Sequence, residues 1–351
     1  MKELNKIVVL PGDGIGPEVV AQGVKVLEAV MRKFDLSIEM REGLIGSIAI
    51  DETGAPFPAE TQKMCEEADA ILLGAIGHPK YDNDPTLRVR PEQGLLKMRK
   101  ELGLYANIRP IRLFPSLAEL SVIKEPVLKG TDFVIYRELT GGIYFGKKSR
   151  TADYAVDECS YHRYEIERIA RLAFEEAMKR EKELCLIDKA NVLDSSRLWR
   201  EVVGEIGKLY PEVTISYLFV DNAAMQIVLN PSQFDVVLCS NLFGDIISDE
   251  ASVLVGSLGL LPSSSKGEGA YLYEPIHGSY PQAAGKDIAN PIATILSVEM
   301  MLRDFGQMEA ADAIQRAVDY CIVNEIWTED LGGNKKCSEV GDAVVEYLGA
   351  K

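Results

Sequence analysis

Short apolar runs alternate with segments of helical period along most of the chain. Lys6 to Leu10 reads as a buried strand, and Val20, Val24, Leu27 and Met31 then recur on one helical face. Pro17 with Glu18 beside it makes a good start for that helix. Ala70 to Leu73 is a second buried strand, followed by a Gly-, Pro- and Asp-rich run, 74–85, that predicts a long loop. Pro91 opens a helix reaching Leu102. The stretch 131–146 places Arg137 at a strand end and Tyr144 just past a Gly-Gly turn, and polar residues 147–163 predict an arm or hairpin. Tyr164 to Glu183 has a helical stripe (Ile166, Ile169, Ala173, Ala177), and Leu184 to Ile187 is a strand delivering Asp188 and Lys189. A helix capped by Ser195 follows, then a strand from Val213 to Val220 that delivers Asp221. Phe234 to Cys239 reads as a buried strand and Asn241 onward as a helix. Ser263 to Pro291 reads as loop, and the tail from Ile292 as mostly helical.

Strands alternating with helices predict an α/β fold, in which ligands bind beyond the carboxyl ends of the strands. Lys189 and Asp221 stand at such ends, and Asp245 and Asp249 lie one turn into a helix that follows another. Like charges four apart on a helix repel. A divalent cation removes that cost, since carboxylates are hard oxygen ligands suited to Mg²⁺ or Mn²⁺. The alternative is an ordinary solvated acidic face. Arg99 and Arg109 bracket Leu95-Leu96, a pattern that suits a dicarboxylate with a hydrophobic tail, although each arginine alone also fits a surface charge. The glycine loop at Gly12, Gly14 and Gly16 has the spacing Gly-x-Gly-x-Gly, so the Rossmann reading is rejected.

The 351 residues suffice for one large α/β domain or two ordinary ones. A formal charge of −16 argues against a nucleic-acid partner. No apolar run approaches a membrane span and the start lacks a signal-peptide core, which predicts a cytoplasmic protein with no membrane partner. The six cysteines are scattered, as expected of reduced and mostly buried thiols.

Five stretches in order resemble the β-decarboxylating dehydrogenases: Leu10–Glu18, Arg137–Gly146, Asp188–Val192, Asn241–Asp249 and Glu274–Ser279. The resemblance implies two open α/β domains of the isocitrate/isopropylmalate dehydrogenase type, not Rossmann, with the active site in the interdomain cleft. Residues 1–104 plus 257–351 would form a discontinuous cofactor-binding domain. Residues 105–256 would carry dimerisation, metal and catalytic residues. A homodimer is implied, with Lys189 and Asp221 completing the other subunit's site.

The implied reaction is oxidative decarboxylation of 3-isopropylmalate to 2-oxoisocaproate, with NAD as oxidant. In it Arg99, Arg109 and Arg137 hold the substrate carboxylates, with Asp221 among the substrate contacts. Asp221, Asp245 and Asp249 hold Mg²⁺ or Mn²⁺, Lys189 is the general base, and Tyr144 assists protonation of the enol. The cofactor would meet Gly77, His78, Pro79, Glu92, Glu274, His277, Gly278, Ser279, Gln282 and Asn290. Leu95 and Leu96 match family members that accept an isopropyl group. Facing an extra carboxylate of isocitrate, they would cost about 2–7 kcal/mol in desolvation.

One position departs from the family pattern. Gln282-Ala283 stands where NAD users carry Asp-Ile, and Tyr280 where a small residue is usual. The carboxylate that repels a 2′-phosphate is absent and no Lys or Arg replaces it, which predicts NAD use with reduced discrimination against NADP. Rival readings are a related dehydrogenase acting on malate, tartrate, isocitrate or homoisocitrate, a non-catalytic regulatory subunit, and a Mg²⁺-dependent phosphate-binding or hydrolase module. The last lacks any phosphate-binding Gly-x-x-x-x-Gly-Lys-Ser/Thr loop.

Overall fold

The first apolar run forms the strand Lys6–Gly12, flanked by parallel neighbours Glu39–Glu42 and Ala70–Ala75. These belong to a computed structural model that describes residues 3–82 and 87–350 and divides into two units, Met1–Leu104 with Ser257–Lys351, and Tyr105–Gly256. In the first unit Ala70–Ala75 pairs next with Tyr271–Pro275 in parallel, and that strand pairs antiparallel with Pro262–Gly267. Alternate side chains divide between two faces. Val8, Leu10, Ile71 and Leu73 enter one buried cluster with Phe57, Met98 and Leu272. Leu72 points the other way, beside Gly23 of the helix Gly16–Phe34. Both faces of the central strands are covered, so Ile7–Leu10 and Ala70–Leu73 are apolar at every position rather than alternating.

The second unit is built on Leu104–Arg112, Asp132–Glu138, Val236–Cys239, Glu183–Asp188 and Thr214–Phe219, in that spatial order. The first pair is antiparallel and the others are parallel. Val134, Tyr136, Leu184, Leu186, Val236 and Leu238 pack with the helices Arg163–Ala177 and Asp194–Gly207, around Phe174 and the buried Trp199. The polar arm is an antiparallel hairpin of Lys148–Arg150 and Ala155–Asp157. No helix among the described residues is long and apolar enough to cross a membrane.

Several elements differ from the sequence reading. Residues 74–85 were expected to be loop, but a short helix, Pro79–Asp82, lies within them, and 83–86 fall outside the described residues. Ser195 does not cap its helix: Leu193 occupies the cap position without a side-chain bond, and Ser196 Oγ instead accepts the Lys189 amide at 3.1 Å. The helix expected to reach Glu183 ends at Ala177. After Thr214–Phe219 the chain enters an unforeseen helix, Val220–Leu229, so Asp221 lies in a helical first turn. Ala223 and Ile227 of that helix are buried, but Met225 and Leu229 are apolar and exposed, which blurs its amphipathic period. The stretch Ser263 to Pro291 holds the two strands Pro262–Gly267 and Tyr271–Pro275; Ser263, Ser264 and Ser265 are buried there, residues with little strand character.

The glycine loop makes close backbone contacts. Gly14 has φ +60°, and a Cβ on it would sit 1.9 Å from the Ser279 carbonyl oxygen. The adjacent Ile15 amide donates to that same oxygen at 2.8 Å. Asp13, buried between them, accepts from the amides of Ser47 at 2.9 Å, Ile48 at 3.1 Å and Gly77 at 2.8 Å. One carboxylate thus ties the Ser47–Thr53 helix and the Gly77 turn to the first strand. Five of the six cysteines are buried and Cys159 is exposed. Burial pushes the Cys65 and Cys239 thiols up to about 12, which keeps them protonated and unreactive.

Candidate active site

Arg137 ends the strand Asp132–Glu138 opposite Cys239, whose strand runs on into the helix Asn241–Ser252. The guanidinium lies across the first turns of that helix. Its Nε donates to the Asn241 carbonyl at 3.0 Å and Nη2 to Asn241 Oδ1 at 3.0 Å. Its Nη1 pairs with Asp245. Gly244 makes room for it, since a Cβ there would come within 2.6 Å of Arg137 Cγ. The Tyr144 hydroxyl donates to the other Asp245 oxygen at 2.6 Å. Burial, with the Asp245 carboxylate adding to it, holds the Tyr144 phenol above its usual range.

Arg109 comes from the antiparallel strand Leu104–Arg112, where Asn107 pairs with Arg137. Its Nε donates to Asn107 Oδ1 at 2.7 Å, and Nη1 to Ser248 Oγ at 2.6 Å and Asp249 Oδ1 at 3.1 Å. Each aspartate on this helix face therefore carries its own arginine, which offsets their repulsion. The Asp249 side chain remains 66% exposed and the Asp245 side chain 32%.

The loop bearing Tyr144 is fixed from beneath. Glu138 is fully buried and accepts from the Thr140 amide and hydroxyl at 2.8 Å and the Gly141 amide at 2.7 Å. Burial pushes its carboxyl upward, opposed by those same donors. Asn241 Nδ2 donates to the Gly141 carbonyl at 3.2 Å, and the Asn241 amide to the Tyr161 oxygen at 2.9 Å. Sequence reasoning singled out none of Glu138, Asn107, Tyr161 or Asn241. Glu138 and Asn241 stood inside motifs, but Tyr161 lies 80 residues from its partner and left no local signal.

Lys189 and Asp221 form a separate ion pair in the same unit. Asp188 beside them is buried and gripped by Arg200 at 2.8 and 2.9 Å. The Lys189 pairing lowers the Asp221 carboxyl below its usual range. No hydrogen bond joins this pair to Asp245 or Asp249 among the described residues. Consistently, no group of three or more His, Cys, Asp or Glu side chains that could hold a metal ion occurs among the described residues.

In the first unit Arg99, on the helix Pro91–Glu101, pairs with Glu274 at 3.0 Å, both side chains 12% exposed. The Arg99 Nε is buried without a partner. Leu95 and Leu96 on the same helix are half-buried, Leu95 against the apolar cluster. Gly77 has its amide on Asp13, and a Cβ there would meet Glu92 Oε1 at 3.2 Å and Ser279 Oγ at 3.6 Å. His78 accepts the Lys80 amide, and Pro79 begins the short helix.

Beyond Ser279 lies a cavity of about 440 Å³, within the range of small-ligand sites, roughly 300–1,000 Å³. His277, Gly278 and Asn290 line it with Tyr280, joined by Ile15, Glu329 and Asp330, which sequence reasoning had not placed in a site. Gln282, expected among the cofactor contacts, is exposed and outside that lining. Burial holds His277 below its usual range, and its Nε2 is buried without a partner.

Residues 6–344 match the model of the isocitrate/isopropylmalate dehydrogenase family. The chain is 52% identical over 347 residues to the 3-isopropylmalate dehydrogenase of Bacteroides fragilis (strain YCH46), covering 98% of both chains. Among solved structures it is similar to the isocitrate dehydrogenase of Methylococcus capsulatus, with TM-score 0.87, 33% identity and coverage of 98% of this chain and 99% of that one. It is also similar to a beta-decarboxylating dehydrogenase of Thermococcus kodakarensis in its apo form, with TM-score 0.83, 36% identity and coverage of 99% and 97%.

Proposed function

The chain belongs to the isocitrate/isopropylmalate dehydrogenase family, and from that premise we propose that it oxidatively decarboxylates 3-isopropylmalate to 2-oxoisocaproate with NAD, a step of leucine biosynthesis. The observation that carries this reading is the convergence of Arg109, Arg137, Tyr144, Asp245 and Asp249 on one helix face.

Arg109 and Arg137, with Arg99, are suited to bind the two substrate carboxylates, because guanidinium forks match carboxylate geometry. Leu95 and Leu96 suit the isopropyl group and disfavour the third carboxylate of isocitrate. Asp245 and Asp249 offer hard oxygen ligands one helical turn apart, and Asp221 of a second copy would add a third, so that a bound Mg²⁺ or Mn²⁺ would polarise the C2 hydroxyl and stabilise developing charge on its oxygen. The cavity at His277 and Asn290 suits the nucleoside end of NAD, which when bound would accept the hydride from C2.

Lys189 takes the proton of the C2 hydroxyl as that hydride leaves. The resulting 2-oxo acid carries a carboxylate on the adjacent C3. Cleavage of that C–C bond releases CO₂ and leaves its electron pair as an enolate. Tyr144, held protonated, assists proton delivery to C3 of the resulting enol. One substrate and one NAD⁺ give one 2-oxoisocaproate, one CO₂ and one NADH.

A homodimer completes the reading. Within one chain Lys189 pairs with Asp221, and among the described residues no hydrogen bond joins either to Asp245 or Asp249. Exposed apolar side chains on two neighbouring helices, Met225, Leu229 and Ile246, with Val253 just beyond, support a second copy as their cover. NADH formation with 3-isopropylmalate, isocitrate and malate in parallel, with Mg²⁺ present, tests the substrate. Turnover confined to 3-isopropylmalate supports the proposal; turnover confined to either other acid refutes it.

A further inference from the structure

Among the described residues, no lysine or arginine lines the cavity at His277. His277 adds no charge near neutrality, because burial keeps its imidazole deprotonated, and its Nδ1 lies 2.9 Å from the Gly278 carbonyl. Two carboxylates stand on the wall, Glu329 and Asp330. They differ in what covers them. Asp330 is engaged on both oxygens, by Ser257 Oγ at 2.5 Å and Asn290 Nδ2 at 3.0 Å on one and Thr328 Oγ1 at 2.5 Å on the other. Glu329 is exposed, and its carboxylate has no hydrogen-bond or ion-pair partner among the described residues. It sits in the turn Glu329–Leu331, far in sequence from Gln282, where an acidic residue is missing.

The geometry points to Glu329 as the residue that sets which dinucleotide this chain accepts: on the wall of a cavity without cations, it admits an adenosine with free ribose hydroxyls and rejects one bearing a 2′-phosphate. This rests on the reading that the cavity takes the nucleoside end of the cofactor. A phosphate dianion entering there meets a like charge and finds no cation in the lining to replace its water. The missing acid at 282 then does not relax the preference, because Gln282 lies outside the lining. Tyr280 supports the same assignment. It lines the cavity with φ +36°, a left-handed backbone costly for a non-glycine residue, and its side chain is left exposed at the rim.

The test is calorimetric binding of NAD and of NADP to the full chain, without substrate, for wild type, Glu329→Gln and Glu329→Lys. The expected wild type binds NAD and discriminates against NADP. Glu329→Gln is expected to raise the NADP-to-NAD affinity ratio by about tenfold and Glu329→Lys further still, with the gain shrinking as salt rises. Melting temperatures of the variants check that this exposed position leaves the fold intact. An NADP-to-NAD affinity ratio unchanged across the three proteins overturns the assignment while leaving the cofactor reading standing. Wild-type protein that binds neither dinucleotide overturns both.

Discussion

The Tyr144 hydroxyl donates to Asp245 Oδ2 at 2.6 Å, while Arg137 holds the other oxygen of the same carboxylate. A phenol in that position is a proton donor, not a base. Burial and the neighbouring carboxylate keep it protonated well beyond neutrality. Tyr144→Phe is expected to lower kcat by about 10²–10⁴-fold, the usual yield of a positioned acid. Substrate binding should stay nearly unchanged. The wild-type pH–rate profile between pH 6 and 9 should show no limb that Tyr144→Phe removes; a limb lost in the variant would assign Tyr144 the opposite role.

Arg137 is a strut as well as a proposed ligand for the substrate. Its side chain is 4% exposed and spans Asn241 and Asp245. Arg137→Ala is expected to cost about 3 kcal/mol of stability, because Asp245 and the Asn241 carbonyl lose their donor. Arg137→Lys keeps the charge but loses the fork, and should lower kcat/KM roughly a hundredfold with a smaller loss of stability. Urea unfolding and steady-state kinetics on both variants separate the two roles. Equal loss of stability in both would show that the fork has no part in holding Asn241.

Lys189 and Asp221 pair with each other and not with the Tyr144 cluster. If they serve a second copy's site, Lys189→Ala and Tyr144→Phe should each be inactive alone yet complement each other. Refolding an equal mixture should restore about a quarter of wild-type activity, since half the dimers are mixed and each has one intact site. No recovery in a mixture proven to contain mixed dimers would place Lys189 in its own chain's site.

His277 links stability to pH. Burial lowers its folded pKa below the ordinary 6.5, so the folded chain binds its proton less readily than the unfolded chain. Above pH 6.5 both states are neutral there and stability is undiminished. As pH falls below 6.5 the unfolded state gains the proton first, and stability drops until the folded pKa is reached. His277→Gln should show a shallower loss between pH 7.5 and 5.5 in urea melts; an identical slope would exclude His277 as a contributor.

Much of the architecture was readable where pattern and environment agree. Val236–Cys239 and Lys6–Gly12 are continuous apolar runs because their sheets are covered on both faces. Asp245 and Asp249 stood out by their spacing together with the strand ends that deliver Lys189 and Asp221, and Arg109 and Arg137 are their partners in space. What stayed hidden depends on tertiary placement. Val220–Leu229 has a weak helical signal, because Met225 and Leu229 are apolar and exposed beside its few polar residues. Asp13 leaves no signal in its own stretch, because its partners lie 34, 35 and 64 residues away. Glu329 and Tyr280 acquire meaning only from a cavity that neither stretch can form alone.

The most direct test of the proposed reaction follows 3-isopropylmalate labelled with ¹³C in the carboxyl group on C3, in the presence of NAD and Mg²⁺. NADH, labelled CO₂ and unlabelled 2-oxoisocaproate are expected in equal amounts, with isocitrate giving none. NADH without labelled CO₂, or no NADH from 3-isopropylmalate while isocitrate turns over, would contradict the assignment.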